Sequence, residues 1–426
     1  MLVDQRDRRD RGMTQRRTVA VIGAGIVGVA CAGHLLRDGH AVTLIDRSDP
    51  GEGCSRGNAG AISPGSCVPL ALPGMWRSIP GWLLDPLGPL SIRLPYLAHA
   101  LPWLIRFGLN SRLSKVRLIA DAMRALHAPT FENYAPLIEG AGCRDLIRMT
   151  GTLVVYEQKA AKLEDKLDWT LRRERGIRFT ILDADDIRQI VPELGPQYEQ
   201  GVLLPDHGSV VDPRRLVAAL AEGLVRNGGI LQKHEVRRIA PAGDGRVRVV
   251  LDDSEMTVDR VVVAAGAWSS RLLSGLGLHV PLESQRGYHA TLANPSIYPR
   301  MPVVSSAGKF YATPMADGLR FAGTVEFAGL EAPPDYRRAK ALVVAGQRMF
   351  PGLRAGRVTE WMGHRPCLPD SLPIIGPVPQ CPAIMLAFGH GHNGLTGAST
   401  TGRLIADLVS ARRPAIDLHP YRADRF

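Results

Sequence analysis

The glycine-rich segment VAVIGAGIVG, at residues 19–28, constrains the fold of this chain more than any other feature. It joins an apolar strand to a helix predicted over 26–37, and a second apolar strand is predicted over 41–46. Gly23 permits a tight turn and Gly28 permits close packing of the helix on the strand, while the helix N-terminus offers N–H groups to phosphates. The segment therefore predicts a dinucleotide-binding βαβ unit. The predicted phosphate-binding residues are Gly23, Ala24, Gly25, Ile26, Val27 and Gly28.

Asp46, at the end of the second predicted strand, is typical of a residue that accepts a hydrogen bond from a ribose hydroxyl. The neighbouring Arg47 is also a predicted cofactor contact. Its charge raises the alternative that the cofactor carries a ribose 2′-phosphate, as NADP does. The carboxylate of Asp46 comes first and repels a phosphate. The pair therefore favours FAD or NAD over NADP.

The composition indicates a globular protein and excludes several classes of function. With 426 residues, 45% of them hydrophobic, the chain predicts two domains with sizeable cores. The net charge of +11 is partly terminal, and no basic run is interleaved with aromatic residues, so we expect no nucleic-acid partner. Six cysteines without a CxxC spacing predict neither a metal site nor a disulfide framework, and they fit a reducing cytoplasm.

The ends of the chain and its apolar segments bear on localisation. The sequence shows no apolar signal-peptide core and no run of 18 apolar residues, which predicts a cytoplasmic protein. Residues 1–17 are predicted to form a disordered tail and residues 411–426 a C-terminal tail. The leucine-rich segment 94–107 predicts a helix that packs on the core of the second domain, with peripheral contact to the inner membrane as its alternative.

The order of predicted elements divides the chain into two interleaved domains. The α/β pattern of residues 18–85 returns at 200–285 and at 360–410, which predicts a discontinuous cofactor-binding domain. Two insertions, 86–199 and 286–359, form the predicted substrate domain. The second insertion alternates in the manner of an antiparallel sheet. An arrangement of this kind leaves a cleft between the domains, where ligands usually bind.

Three further segments point to one family. They are SRGNAGAIS at 55–63, VVVAAGAWS at 261–269, and WMGHRPCLPDSLPIIG at 361–376, which is followed by GHGHNGLT at 389–396. In this order and spacing they resemble the D-amino-acid oxidase and dehydrogenase family of flavoproteins, and most of all its bacterial dehydrogenases. The resemblance implies a Rossmann-like α/β FAD-binding domain with an inserted α+β substrate domain built on an antiparallel sheet.

The resemblance also implies where FAD binds. The glycine turn and Asp46 hold the ADP half, and the N-terminus of the last helix stabilises the negative charge that reduced flavin carries near N1. Gly363 stands where members with covalent flavin carry a cysteine, which implies non-covalent FAD. The other implied contacts are Ser55, Asn58, Ala59 and Gly60 along the flavin, Val236 at the adenine, and Ala265 and Gly266 by the pyrophosphate. Trp268 is a further implied cofactor contact. Those at the ribityl chain and the pyrimidine end are Gly391, His392, Asn393, Gly394, Leu395 and Thr396.

The activity implied by the resemblance is oxidative deamination of a D-amino acid. A hydride passes from Cα to flavin N5, and the imino acid is hydrolysed to a 2-oxo acid and ammonia. A substrate carboxylate at an apolar face favours a bidentate arginine over a lysine, so Arg365 in the motif GHRP is expected to bind it. Tyr288 and Tyr311, on strands whose pattern predicts that they are adjacent, are candidates for hydrogen bonds to the same carboxylate. His364 and His289 are candidates to accept the amine proton or to recognise a ring hydroxyl.

Several alternatives stay open at this point. A role for His364 makes a cyclic or secondary amino acid, such as D-proline, D-hydroxyproline or sarcosine, an attractive substrate. An NAD-dependent dehydrogenase shares the first motif but leaves 389–396 without a role, and a non-catalytic FAD-binding subunit of an oxidase complex is the third alternative. After residue 233 the only lysines are Lys309 and Lys340, which favours a quinone or other carrier over oxygen as the electron acceptor.

Overall fold

The computed structural model describes residues 15–75, 87–157, 163–354 and 356–426. Residues 1–14 of the predicted disordered tail therefore lie outside the described residues. Strands and helices are numbered below in chain order.

One half of the molecule is built on a six-stranded sheet. Its strands are β1 (Thr18–Ile22), β2 (Ala41–Asp46), β10 (Ile230–Lys233), β14 (Arg260–Val263), β20 (Ile374–Val378) and β21 (Cys381–Phe388). The order is β10-β2-β1-β14-β21-β20, and all neighbours pair in parallel except β20 and β21. This is the doubly wound arrangement that the βαβ motif predicts, with the carboxyl ends of β1 and β2 side by side.

Five helices contribute side chains to the same hydrophobic core as this sheet. They are α1 (Ile26–Arg37), α3 (Leu113–His127), α4 (Thr130–Ala141), α7 (Pro213–Arg226) and α10 (Gly394–Val409). Helix α10 packs closely on α1 at Gly402, where an added Cβ would lie only 2.6 Å from the carbonyl oxygen of Ala30. The C-terminal helix is thus fixed against the helix that begins at the glycine turn.

The other half is built on a nine-stranded sheet. Its strands are β4 (Leu90–Ile92), β6 (Thr152–Tyr156), β7 (Thr180–Leu182), β8 (Gln200–Leu204), β15 (Glu283–Leu292), β16 (Val303–Ser305), β17 (Phe310–Met315), β18 (Gly318–Phe327) and β19 (Val358–Cys367). The order is β19-β15-β18-β17-β16-β6-β8-β7, with β4 paired to β18. Helix α9 (Arg337–Met349) packs on one face, and the opposite face turns toward the loop that follows β2.

The remaining elements are short. One three-stranded sheet contains β11 (Arg238–Pro241), β12 (Val247–Val250) and β13 (Glu255–Val258). A second contains β3 (Ala61–Ile62), β5 (Ile147–Arg148) and β9 (Gly208–Val210). The remaining helices are α2 (Leu97–Leu109), α5 (Leu167–Glu174), α6 (Ala184–Ile190) and α8 (Ser269–Ser274). Among the described residues, no helix has the length and apolarity that a membrane crossing requires.

The structure differs from the predicted domain boundaries in three places. Strand β8 and residues 360–367 of β19 fall in segments assigned to the cofactor domain, yet both strands pair within the nine-stranded sheet. Helices α3 and α4 fall in the first insertion, yet they pack against α10 and α7. The predicted C-terminal tail packs on the body, since Tyr421 is fully buried and Arg425 pairs with Asp370 at 2.7 Å. Periodicity identifies these elements but does not reveal their partners.

Candidate functional site

A cavity of about 700 Å³ runs from the carboxyl ends of β1 and β2 to β19 and the start of α10. Ligands of open α/β sheets bind at this edge. The predicted residues that line the cavity are Gly23, Ala24, Gly25, Ile26, Val27, Asp46, Arg47, Ser55, Asn58, Val236, Ala265, Gly266, Trp268, Gly363, His364, Gly391, Gly394 and Leu395. The predicted residues outside its lining are Gly28, Ala59, Gly60, His392, Asn393, Thr396, Arg365, Tyr288, Tyr311 and His289.

The glycine turn has no room for side chains. Gly23 has φ +107°, and a Cβ there would overlap the carbonyl group of Ala264. A Cβ at Gly28 would overlap the carbonyl oxygen of Gly23 and would lie 3.4 Å from the Cβ of Ala264. Helix α1 therefore starts directly beneath the turn, and its first residues face the cavity. The turn fits the pyrophosphate of a dinucleotide, as the sequence predicts.

Asp46 is held at the edge of the cavity by backbone donors. Its carboxylate accepts hydrogen bonds from the N–H groups of Ala24 at 2.7 Å and Ser48 at 2.8 Å. Ser55 Oγ accepts from the N–H of Ile26 at 3.0 Å, so the loop after β2 is tied to the first turn of α1. The acid is thereby fixed beside the glycine turn, where the ribose of a bound ADP group is expected.

The opposite end of the cavity is closed by the start of α10. Gly389 and Gly391 have φ values of +89° and +54°, which fold the chain into a turn before the helix begins at Gly394. Gly394 and Leu395 line the cavity, so the N-terminus of a 16-residue helix faces it. The partial positive charge at that end suits the anionic pyrimidine portion of a reduced flavin.

Two buried histidines pack around this helix start. Burial lowers the pKa of His127 to about 4 and that of His390 to about 3. A Cβ at Gly397 would lie 3.2 Å from the His390 ring and 3.6 Å from the His127 ring, so both rings border the first turn of α10. Both histidines are consequently neutral at physiological pH, which spares the helix N-terminus two nearby positive charges.

These pKa values predict that the free energy of unfolding falls as the pH drops from about 6.5 toward 4. In that window the unfolded chain binds protons at both histidines and the folded chain does not, so stability rises with pH. At pH 5 each histidine accounts for up to about 2 kcal/mol. Urea unfolding at pH 7.5, 6 and 5 in saturating FAD measures the effect, and His127→Asn is expected to reduce the slope. A midpoint that does not move between pH 7.5 and 5 contradicts the prediction.

Trp361 forms part of the cavity wall on β19 and is not among the site residues predicted from the sequence. Its indole covers Gly57 and Gly363, since a Cβ at either glycine would overlap the ring. The ring also stacks on His289, with centroids 5.2 Å apart and planes 17° from parallel. A tryptophan two residues from a glycine on one strand is the only local signal of this packing.

Arg365 lies on the same face of β19 as Trp361. Its guanidinium covers Gly287 and donates to the backbone carbonyls of Thr324 at 2.7 Å and Gly323 at 3.2 Å. Thr324 has φ +57°, an unusual value for a β-branched residue, at the point where the register of β15 and β18 shifts. The bulge thus aims two carbonyls at the guanidinium and fixes its plane.

The guanidinium of Arg365 has no acidic partner among the residues that the structure describes. Within the described residues, no carboxylate oxygen lies within 4.0 Å of it. Burial lowers its pKa below the ordinary value for arginine, although the group stays cationic at physiological pH. A partly buried cation held only by neutral carbonyls retains the capacity to bind an anion beside the cavity.

The structure does not bring Tyr288 to Arg365. Side chains alternate along β15, so Tyr288 points to the face covered by α9 while Gly287 points toward Arg365. The Tyr288 hydroxyl donates to Glu326 Oε2 at 2.6 Å and accepts from the N–H of Asp335 at 2.9 Å. Burial raises its pKa to about 12. The predicted hydrogen bond from Tyr288 to a substrate carboxylate is therefore incompatible with this arrangement.

Tyr311 and His289 lie on the same sheet face as Arg365. Tyr311 on β17 pairs with Ala322 on β18, and Ala322 pairs with His289 on β15. His289 in turn pairs with Trp361 on β19. Strand β18 therefore lies between Tyr311 and His289. Tyr288 lies on β15 like His289, so Tyr288 and Tyr311 are not on adjacent strands, although their pattern had indicated that they are. His289 Nδ1 lies 3.1 Å from the carbonyl oxygen of Gly57, and burial lowers the pKa of His289 to about 3. This histidine is neutral and holds the loop after β2.

His364 lies on the opposite face of β19 from Arg365. Its Nδ1 is 2.8 Å from Ser284 Oγ, and its ring meets Trp268 edge-on at 5.2 Å. The Arg47 guanidinium lies 4.7 Å from the Trp268 ring centroid, which forms a stack along the cavity wall. Burial lowers the pKa of His364 to about 4, so it is a weak base for an amine proton.

Arg320 is a second residue that the sequence analysis missed. It is buried on β18 and donates to the carbonyl oxygens of Asn58 at 2.9 Å and Arg56 at 3.3 Å. It also donates to Thr291 Oγ1 at 3.1 Å. An arginine inside the apolar strand GLRFAG is the signal that marks it. Arg320 fastens the loop that follows β2 to the nine-stranded sheet and so joins the two halves of the molecule.

Comparisons with known proteins agree with this geometry. The family model described as FAD dependent oxidoreductase (DAO) matches residues 18–408. A D-amino-acid oxidase of Bradyrhizobium diazoefficiens is 42% identical over 421 residues, covering 97% of this chain and 100% of the relative. A D-amino acid dehydrogenase of Sinorhizobium medicae is 33% identical over 407 residues, covering 94% and 97%.

A solved structure shares the fold. The crystal structure of L-proline dehydrogenase from P. horikoshii superimposes with a TM-score of 0.73 at 20% identity, covering 97% of this chain and 98% of the other. At that identity the likeness concerns the fold alone.

Proposed function

The chain belongs to the FAD-dependent oxidoreductases of the D-amino-acid oxidase type, and from this premise we propose that it oxidises a D-amino acid to the corresponding 2-oxo acid and ammonia. When bound, FAD supplies the two-electron acceptor for the hydride that leaves Cα. The imino acid that results takes up water and releases ammonia. The protein's own task is to hold and orient the amino acid beside the cofactor.

The observation that carries this proposal is the Arg365 guanidinium, to which the described part of the chain supplies no acidic partner. A substrate carboxylate would accept hydrogen bonds from the remaining N–H groups of this guanidinium. The carbonyls of Gly323 and Thr324 keep the guanidinium plane in position. Trp361 and Gly363 lie on the same face of β19 as Arg365, and both line the cavity. An amino acid anchored at Arg365 would thus place its Cα toward the cofactor.

The cofactor residues fit FAD throughout the cavity. The glycine turn accommodates a pyrophosphate, Asp46 a ribose, and the N-terminus of α10 the pyrimidine end of the flavin. We propose that the lining residues reported above make these contacts. Gly363 offers no thiol to the flavin, so FAD is bound without a covalent link.

We further propose that a quinone or another carrier, rather than oxygen, receives the electrons. No lysine side chain of the described residues lines the cavity, so a nearby ammonium that would assist oxygen reduction is lacking there. A quinone acceptor implies that the protein reaches a membrane surface from the cytoplasmic side. Parallel assays with a soluble quinone analogue and with dissolved oxygen test this part, and the quinone rate is expected to exceed the oxygen rate.

The decisive experiment is anaerobic titration of the purified yellow protein with a panel of amino acids. We expect a common neutral D-amino acid to bleach the flavin absorbance, its L-enantiomer to fail, and the 2-oxo acid to appear in equal amount. D-Proline, the hydroxyproline isomers, sarcosine and glycine belong in the panel, because strong bleaching by these alone would transfer the proposal to secondary or small amines. A colourless protein, or FAD that no amine reduces, refutes the proposed reaction.

A further inference from the structure

The outer face of α2 carries a continuous apolar stripe. Leu97, Leu101, Ile105 and Leu109 follow one another at four-residue spacing and expose 41%, 49%, 56% and 53% of their surface. Leu94, just before the helix, is 83% exposed. Residues four apart lie on one side of a helix, so these side chains form a single ridge. Scattered exposed leucines need no explanation, but a contiguous ridge indicates a binding surface.

The inner face of the same helix is already packed. Ala100 and Trp103 are buried, and Trp103 lies against Phe327 with ring centroids 5.4 Å apart. Trp103 Nε1 donates to the carbonyl oxygen of Cys367 at 3.4 Å, which anchors α2 to the end of β19, two residues beyond Arg365. The stripe is therefore the outward side of a helix whose core-facing side is complete.

The charged residues in the sequence segment around the stripe have one sign. Residues 86–120 contain no aspartate or glutamate. Arg106, Arg112 and Lys115 are exposed, and in the described part of the chain none of them lies within 4.0 Å of a carboxylate oxygen. Arg93 and Arg117, the other two arginines of this span, pair with Glu326 and Glu174. An apolar ridge beside three cations that have no such partner is complementary to a surface of phosphates above hydrocarbon.

We propose that α2 and the first residues of α3 bind the surface of an anionic phospholipid bilayer. The stripe enters the boundary of the acyl chains, and Arg106, Arg112 and Lys115 meet the lipid phosphates. A 13-residue helix extends about 20 Å, short of the roughly 30 Å hydrocarbon core, so it lies in the plane of the interface. A second copy of the chain is a poorer occupant, because a symmetric contact sets these like charges against each other.

Binding of α2 to lipid does not depend on the redox reaction, but the benefit of that binding to the enzyme does. Delivery of electrons to a quinone in the bilayer rests on the proposed function. The anchoring of α2 on β19 then places the site's strand beside the membrane surface.

Co-sedimentation of the full-length holoprotein with vesicles tests the proposal. We expect binding to vesicles of phosphatidylglycerol and phosphatidylethanolamine, weaker binding to pure phosphatidylcholine, and loss of binding at high salt. The double variant Leu101→Ser and Ile105→Ser is expected to lower the partition coefficient roughly tenfold or more. The matched control, Val225→Ser and Val344→Ser, removes two equally exposed valines from other helices and should bind as the unaltered protein does.

A charge pair completes the design. Arg106→Glu with Lys115→Glu is expected to abolish the preference for anionic vesicles, whereas Arg300→Glu with Arg348→Glu, at exposed sites elsewhere, should keep it. Absence of vesicle binding, or equal losses in variants and controls, overturns the proposal. So does a stripe variant that turns a dimer into a monomer in light scattering, because the stripe is then an interface between copies.

Flavin bleaching in solution, measured on the same samples, separates the two proposals. Vesicle binding that fails while an amino acid still reduces the flavin overturns only the docking surface. Reduction that fails while the vesicles still bind overturns only the reaction.

Discussion

Replacement of Arg365 by lysine is expected to leave the protein folded and yellow and to weaken substrate binding by about 2–4 kcal/mol, or roughly 30- to 900-fold. The guanidinium lies flat over Gly287 and donates to two carbonyls, and a bound carboxylate takes its remaining N–H groups. A lysine ammonium is a single point donor and cannot serve both carbonyls and a bidentate carboxylate. Anaerobic flavin reduction at graded amino-acid concentrations measures the apparent Kd.

A comparison of substrates distinguishes a carboxylate contact from general damage. Unaltered protein is expected to prefer an amino acid strongly over the matching amine that lacks the carboxylate. In Arg365→Met that preference should shrink by about the same factor by which amino-acid binding weakens. Arg300→Lys, at an exposed site in the same half of the molecule, is the matched control. An unchanged preference in Arg365→Met would remove this residue from substrate recognition.

The parts of the site that could be predicted from sequence depend on local backbone geometry. Gly23, Gly28 and Asp46 belong to one βαβ unit in which turn, helix and strand are neighbours in the chain, so the spacing alone determines their relation. The family resemblance added the other cofactor segments by their order. The FAD-dependent family and its fold are confirmed by the comparisons.

The parts that could not be predicted depend on strand pairing. Tyr288 is one residue from Gly287, yet a single step along a strand moves a side chain to the opposite face. Tyr311 looked adjacent to β15, but β18 lies between them. The roles of Trp361 and Arg320 depend on which loop covers the sheet, and no local pattern encodes that. The segment 113–141 forms two helices rather than one, since α3 ends before Pro129 and α4 begins after it.

Conversion of Gly28 to alanine should abolish stable FAD binding. The added methyl group would overlap the carbonyl oxygen of Gly23, which is backbone and cannot rotate away, so α1 must move from the turn. That movement takes the helix N-terminus and the Asp46 contact at Ala24 away from the pyrophosphate and ribose. We expect a colourless protein whose Kd for FAD rises at least about a hundredfold, with a cost of about 1–3 kcal/mol in stability from the clash itself.

Gly140→Ala is the matched control, because it adds the same methyl group to a helix at a place where no atom lies within 4 Å. It is expected to retain FAD and to gain about 0.5–1 kcal/mol, since alanine restricts the unfolded chain more than glycine does. The ratio of flavin to protein absorbance, FAD titration by fluorescence quenching, and Tm with and without FAD compare the two variants. If Gly28→Ala purifies yellow with an unaltered Kd, close packing at the glycine turn is not what holds the cofactor. In that case the contacts at Asp46 and at the start of α10 must suffice for binding.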